Sequence, residues 1–381
     1  MVVVSCDLSI DIDDCTIYRR ILPVSGRYVQ YIPCLDRRTF DSSRNQDIMI
    51  KAYAAQEAGG TLEAFQYDPG VLGSGEVEIA VDYCGICHSD LNMLNNDWGI
   101  TTFPFVPGHE IAGHILQVGD QVRTLAIGDK VGLGWHSGYC NSCTSCLSND
   151  QNMCALPQET IVGRHGGFAD KVRASAESVF KLPEGLDFES AGPLFCAGIT
   201  VFNPLIQYDI KPSDSIAVIG IGGLGHIALQ FLRAWGCEVT AFTSSVDKRT
   251  EALSLGAHHT VSSRDEAEIM TKKGCFDMVI STVNVKLNWS LYLKTLKPKG
   301  RLHFVGAALE PLDIDAFSLI TGQASISGSS VGSPGTIATM LEFASQHAIK
   351  PVVQKFKFDQ ANEAIAHLAS GKANYRVVLE R

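Results

Sequence analysis

Cys140, Cys143, Cys146 and Cys154 follow one another as C-x2-C-x2-C-x7-C. Four thiolates at that spacing can close a tetrahedron around one zinc ion and leave no coordination position for a substrate. Disulfides would call for an oxidising compartment and usually a short secreted chain. A chain of 381 residues with twelve cysteines fits a reducing cytoplasm instead. Such an ion braces a loop and does no chemistry itself.

A second set of residues points to a nucleotide. Gly220-Ile-Gly222-Gly223-Leu224-Gly225 lies between the apolar run SIAVIG and a helical stretch, the context in which G-x-G-x-x-G is informative. Gly220 permits the tight turn, Gly222 lets a pyrophosphate approach the backbone, and Gly225 lets helix and strand pack closely. Gly223 and Leu224 complete the turn that opens the helix, whose free N–H groups attract phosphate. An acidic residue at the end of the following strand would mark NAD. Here Thr243, Ser244 and Ser245 are followed by Asp247, Lys248 and Arg249. The hydroxyls and the cations can donate to a 2′-phosphate, so NADP(H) is expected, with Asp247 at a helix start.

These groups need elements to position them. Residues 49–190 are short strands and turns rich in Gly and Pro, among them EVEIAVDYC (76–84), GHEIAGHILQVG (108–119) and DKVGLG (129–134), which predict a β-rich, barrel-like domain. From Ser215 strands alternate with helices: SIAVIG (215–220), helix 222–235, EVTAF (238–242), helix 246–256, FDMVIST (276–282), a helix near 287–296 and RLHFVGA (301–307). That alternation implies a doubly wound parallel sheet covered on both faces. The expected organisation is an N-terminal extension 1–48, a zinc-bearing catalytic domain 49–190, a nucleotide-binding domain 191–332, and a return to the first domain over 333–381. Residues 1–48 fit neither a signal peptide nor a transit peptide and are expected to be dispensable, as from an upstream start codon. The chain is 45% hydrophobic with a net charge of -10, which argues against a nucleic-acid partner, and no apolar run approaches a membrane span.

Cys87 in CGICHSD, His109 in PGHE and Cys196 in PLFCAGIT are scattered, and spacing alone would not select them. In this order, together with the cysteine lobe and GIGGLG, they make residues 49–381 resemble the zinc-dependent medium-chain alcohol dehydrogenases. The match is nearest to the cinnamyl-alcohol-dehydrogenase-like branch and to bacterial broad-specificity NADPH-dependent aldehyde reductases within it. The resemblance implies a GroES-like catalytic domain joined to a Rossmann domain, two zinc ions per chain, and Cys87, His109 and Cys196 as ligands of a catalytic one. It further implies Glu110 as a carboxylate able to approach that ion and Ser89 as the proton-passing hydroxyl. Asp90 would orient His109, His88 would meet the pyrophosphate, and Thr200 the nicotinamide. Trp98 and Trp135 would line the substrate pocket. One departure is Asn92, where many relatives carry a relay histidine, so the proton path must end at His88, the cofactor ribose or water.

The expected reaction is therefore the reversible reduction of aldehydes to primary alcohols by NADPH. NAD(P)-dependent oxidation of secondary alcohols or polyols is the alternative, and a non-catalytic zinc-thiolate redox or stress protein is a more distant one. A small-molecule aldehyde or alcohol is the expected partner, with no nucleic acid and no membrane. Relatives imply a cytoplasmic homodimer joined through the nucleotide domain.

Overall fold

A computed structural model describes residues 49–245, 247–307 and 310–381, and the backbone of three short N-terminal strands. Those strands, β1 (Leu8–Asp11), β2 (Thr16–Ile21) and β3 (Tyr28–Val29), form one antiparallel sheet within the compact unit Met1–Met49. The rest of 1–48, and with it the expected dispensability of that segment, lies outside the described residues. Ile50–Arg381 is the second compact unit.

That unit begins with the antiparallel pair β4 (Ile50–Ala54) and β5 (Glu63–Tyr67). There follow β6 (Glu76–Ile86), helix α1 (His88–Asn95), β7 (Glu110–Val118), β8 (Lys130–Leu133), β9 (His136–Gly138), α2 (Thr144–Leu147), β10 (Gln158–Glu159), β11 (Lys171–Ser175) and β12 (Val179–Lys181). In β6 the side chains of Val77, Ile79 and Val81 alternate into a core with Ile111, Ile115, Val131 and Leu133. Each such side chain, fully buried, contributes roughly 1.5–3 kcal/mol. Two register shifts between β6 and β7 bend the pair and help the sheet curl.

Helix α3 (Ala197–Gln207) leads into a different grammar: β13 (Ser215–Ile219), α4 (Gly225–Trp235), β14 (Glu238–Thr243), α5 (Asp247–Ser254), β15 (His259–Ser262), α6 (Glu266–Met270), β16 (Phe276–Ser281), α7 (Trp289–Leu293), β17 (Leu296–Phe304), α8 (Ala316–Gly322) and β18 (Ser325–Gly328). The strands pair in parallel in the order β15-β14-β13-β16-β17-β18. Ile216 and Val218 face one apolar core and Ala217 and Ile219 the other, which is why SIAVI reads as an unbroken apolar run. β17 starts earlier than the sequence indicates and shortens the preceding helix to five residues. Between the pairs Phe276↔Leu296 and Met278↔Arg301 the register shifts, so Lys297–Gly300, where Pro298 has no N–H to donate, protrudes from the ladder.

The chain ends with α9 (Pro334–Gln346), β19 (Val353–Lys357), α10 (Ala361–Ala369) and β20 (Arg376–Glu380). β19 and β20 complete the sheet β12-β8-β7-β6-β20-β19, in which β20 runs antiparallel to β6 and β11 pairs with β6 as well. Helix α9 buries Ile337, Met340, Leu341 and Ala344 in the same core as β13 and α4, because its apolar stripe matches that surface. The crossing back to the first sheet comes only with β19.

Candidate active site and metal centres

The start of α1 assembles half of one site from four consecutive residues. Cys87 caps the helix, its Sγ accepting the Ser89 N–H at 3.3 Å, while Asp90 Oδ2 accepts the Cys87 N–H at 2.9 Å. This is a reciprocal capping box in which a sulfur replaces the usual hydroxyl. Asp90 Oδ1 in turn accepts the Gly108 N–H at 2.9 Å and faces His109 Nδ1 at 3.1 Å. His109 Nε2 then points at Cys87 Sγ, 3.2 Å away, and Cys196 Sγ, 3.3 Å away.

Cys196 arrives from the segment between β12 and α3. Its approach depends on Gly132, where a Cβ would stand 1.9 Å from the Phe195 ring. Trp135 packs edge-on against the His109 ring, centroids 5.1 Å apart, and edge-on against Trp98 at 6.1 Å. Held by Asp90 on its Nδ1 side and by Trp135 on its flank, the imidazole has one direction left for its free nitrogen.

The donor set fits zinc. Ligands at zinc bonding distance on a tetrahedron stand about 3.5–3.8 Å apart. Cys87, His109, Glu110 and Cys196 offer ligand atoms all within 4.8 Å of one another. Burial opposes ionisation of the Cys87 thiol, but hydrogen bonding with Cys196 and the charge of His109 hold its pKa well below the ordinary value. Burial likewise disfavours a charged His109, yet Asp90 and Cys87 raise its pKa well above the usual range. Two sulfurs and an imidazole are a donor set able to hold zinc while leaving one coordination position open. Glu110 stands behind them, one oxygen ion-paired to Arg376 and the other, Oε2, buried without a hydrogen-bond partner. A Cβ at Gly85 would fall 2.1 Å from that oxygen, so the glycine in CGICHSD makes room for it.

Cys140, Cys143, Cys146 and Cys154 form the other metal-competent cluster. None of the nine cysteines among the described residues is in a disulfide. The Cys140 and Cys146 sulfurs are 3.9 Å apart, the edge length of a zinc tetrathiolate. Backbone N–H groups feed the sulfurs, from Cys143 to Cys140 Sγ and from Cys140 to Cys154 Sγ, both at 3.4 Å. Those of Ser142 and Cys143 lower the Cys140 pKa to about 6, which favours the thiolate a metal requires.

The open site and the glycine turn border one cavity of about 600 Å³. Cys87, Ser89, Trp98, Trp135, Cys196 and Thr200 line one side, and Gly220, Gly222, Gly223 and Leu224 the other; His88 and Asn92 also border it. Gly220 has φ +86°, and a Cβ there would meet Val283 at 2.4 Å. A Cβ on Gly225 would lie 2.0 Å from the Gly220 oxygen, the close helix–strand packing the motif predicts. At Gly222 a Cβ would meet nothing within 4 Å, so open space lies over the backbone where phosphate is expected. The donors and the shape thus fit a dinucleotide.

Thr243 ends β14 beside the turn, where Gly220 N–H donates to the Phe242 oxygen at 3.1 Å. Ser244 and Lys248 are exposed and Ser245 half-buried, none of them bordering the cavity itself. Asp247 begins α5 as expected. Arg249, expected to join Lys248, instead grips Glu268 through both carboxylate oxygens at 3.0 and 2.8 Å. That leaves Lys248 as the cation of the segment with no ion-pair partner among the described residues.

Arg376 is a site residue that no motif in the sequence marks. Its guanidinium is buried, paired with Glu110, and borders the cavity next to Gly223. The signal was a lone arginine opening the apolar strand RVVLE, a residue type that is buried only when paired.

Residues 73–184 match the family described as alcohol dehydrogenase GroES-like domain, and residues 223–346 the family described as zinc-binding dehydrogenase. An aldehyde reductase, AdhA, of Synechocystis sp. is 63% identical over 331 residues, covering 87% of this chain and 98% of its own. The solved structure of a cinnamyl alcohol dehydrogenase from Sorghum bicolor superposes with a TM-score of 0.84 at 36% identity, over 87% of this chain and 97% of that one. A cinnamyl alcohol dehydrogenase from Helicobacter pylori, solved with NADP(H), gives 0.81 at 28% identity over 87% and 98%.

Proposed function

The chain belongs to the zinc-dependent medium-chain alcohol dehydrogenases, in the branch of the cinnamyl alcohol dehydrogenases, and we propose from this that it is an NADPH-dependent aldehyde reductase forming primary alcohols. The observation that carries the reading is one cavity bordered both by the Cys87–His109–Cys196 donor set and by the glycine turn. When bound, zinc supplies a Lewis acid for the carbonyl oxygen and NADPH supplies the hydride.

The chain's own residues do the rest. Cys87, His109 and Cys196 would hold the catalytic zinc, and the lobe cysteines the structural one. Asp90 fixes the His109 ring, and Glu110 keeps a second anionic oxygen within reach of the ligand cluster. Ser89, half-buried on the cavity wall, hands a proton to the substrate oxygen. Asn92 shares that wall and cannot titrate, so the proton is resupplied through His88 or solvent. Trp98 and Trp135 give the substrate an apolar wall suited to aliphatic and aromatic aldehydes. On the cofactor side, Gly220, Gly222, Gly223, Leu224 and Gly225 receive the pyrophosphate with His88 and Arg376, Thr200 meets the nicotinamide, and Thr243, Ser244, Ser245 and Lys248 the 2′-phosphate.

The working units are an N-terminal extension, a catalytic half carrying both zinc sites and closed by β19 and β20, and a nucleotide-binding half. The enzyme acts in the cytoplasm as a homodimer. Support for the dimer is β18, which among the described residues pairs only with β17, together with the exposed Phe317 and Ile320 of the preceding α8. The test of the activity is consumption of NADPH against a panel of aldehydes, ketones and polyols, repeated with NADH, on protein assayed for zinc. Turnover is expected with aldehydes and NADPH, with two zinc ions per chain; polyol oxidation with NAD as the faster reaction would overturn the proposal.

A further inference from the structure

His226 follows the last glycine of the turn, in the first turn of α4, and is completely buried. Its two ring nitrogens have partners of opposite kind. Nδ1 faces the carbonyl oxygen of Gly222 at 3.0 Å, which can only accept, so Nδ1 carries the proton. Nε2 faces the backbone N–H of Val352 at 3.1 Å, which can only donate, so Nε2 is bare. The tautomer is therefore fixed by the neighbours, and the ring is stacked on Tyr375, centroids 4.5 Å apart and planes 13° from parallel.

The link continues on both sides. Val352 passes its own carbonyl to the Arg376 N–H at 3.1 Å, and β19 and β20 then run in register from Val353↔Arg376. Arg376 borders the cavity and pairs with Glu110. One turn further along α4, Gln230 grips Lys350 with both ends of its amide, donating to its oxygen at 3.1 Å and accepting from its N–H at 3.1 Å. Residues at i and i+4 of one helix thus stitch the phosphate turn to the segment entering β19, the strand paired with the one that brings in Arg376.

We propose that His226 is a positioning residue for the cofactor: by tying the Gly222 carbonyl to Val352, it sets the spacing between the glycine turn and Arg376, the two surfaces that must meet one dinucleotide at the same time. Nothing in the imidazole touches the reacting atoms. Its effect is carried by the backbone of Gly222 and, through Val352, by Arg376. A turn and a guanidinium held at a fixed distance lose no freedom when the ligand arrives, and preorganisation of this kind appears as affinity.

The inference rests on the dinucleotide-dependent reading above. The test measures the NADPH dissociation constant by fluorescence on zinc-replete protein, with the aldehyde KM at saturating NADPH and the thermal midpoint recorded alongside. His226→Phe keeps the volume and the stacking on Tyr375 while losing both hydrogen bonds. His226→Asn can reach only Gly222, and His226→Gln only Val352. All three are expected to raise the NADPH dissociation constant about tenfold, since either break opens the link, with the aldehyde KM within twofold of the parent. A His226→Phe protein that binds NADPH as the parent does would reduce the ring to packing and overturn the proposal. Full affinity in His226→Asn would overturn it too, because the tie to Val352 would then be idle. A parent protein that binds neither NADPH nor NADH would instead refute the underlying functional reading, and this inference with it.

Discussion

Asp90 holds three groups at once, the N–H of Cys87, the N–H of Gly108 and Nδ1 of His109, and it is fully buried. Both oxygens act as acceptors, so Asp90→Asn must turn an amide nitrogen toward at least one donor. Outer-shell partners of metal-bound imidazoles typically govern ten- to hundredfold in activity or metal affinity. Asp90→Asn is therefore expected to lower kcat/KM by about that factor and to lose zinc under dialysis, read by steady-state kinetics and metal analysis. Kinetics within twofold of the parent would remove the orienting role. At the start of α5, after the second strand of the nucleotide fold, Lys248 has no ion-pair partner among the described residues, while Arg249 is bound to Glu268. Lys248→Ala is expected to weaken NADPH about tenfold or more and NADH less than twofold, because only NADPH carries the 2′-phosphate that such a charge meets. Equal losses for both cofactors, in competing kinetics, would place the 2′-phosphate elsewhere.

Among the elements, β18 has the largest consequence beyond a single chain. Among the described residues it is an edge strand with one unpaired side, and the preceding helix α8 exposes Phe317 and Ile320, 69% and 70% accessible. An edge of that kind is normally covered or charged, and in the proposed dimer it would pair with its own copy. Phe317→Glu combined with Ile320→Glu is expected to shift the mass in light scattering from dimer to monomer; an unchanged mass would rule this edge out. The segment that carries Cys196 is the other decisive element. It fits only because glycines at 132 and 134 admit Phe195, so the third ligand depends on a packing event between β8 and the chain entering α3. The apolar stripe of α9 was visible in sequence, but which core it would enter was not, since two cores offered matching surfaces.

At the scale of the whole molecule, folding buries titratable groups that water would otherwise share. Burial lowers the pKa of His226 to about 3 and that of His303 to about 4, the latter set between Ser327 and Ser329. Both remain neutral in the folded protein at a pH where the unfolded chain, titrating near 6.5, takes up protons. The unfolded state therefore binds more protons below that value, and stability present at neutral pH is lost as the pH falls from about 6.5 toward 4. The two residues together account for a loss of about 4 kcal/mol between pH 8 and pH 5. Denaturant titrations of the zinc-replete enzyme at half-unit steps would reveal it, and a midpoint flat across that range would contradict it. The sequence alone settled what depends on neighbours along the chain. The cysteine lobe and the glycine turn are local, and their residue types dictate their geometry within a few bonds. Only the tertiary structure decided what depends on contacts across the chain: Cys196 closing on His109, Arg376 meeting Glu110, Arg249 leaving the cofactor segment for Glu268, and His226 reaching Val352. Those partners lie from 19 to 266 positions apart. No local preference encodes such a meeting; it follows from the register of two sheets and from the burial that makes an unpaired polar group too costly to keep.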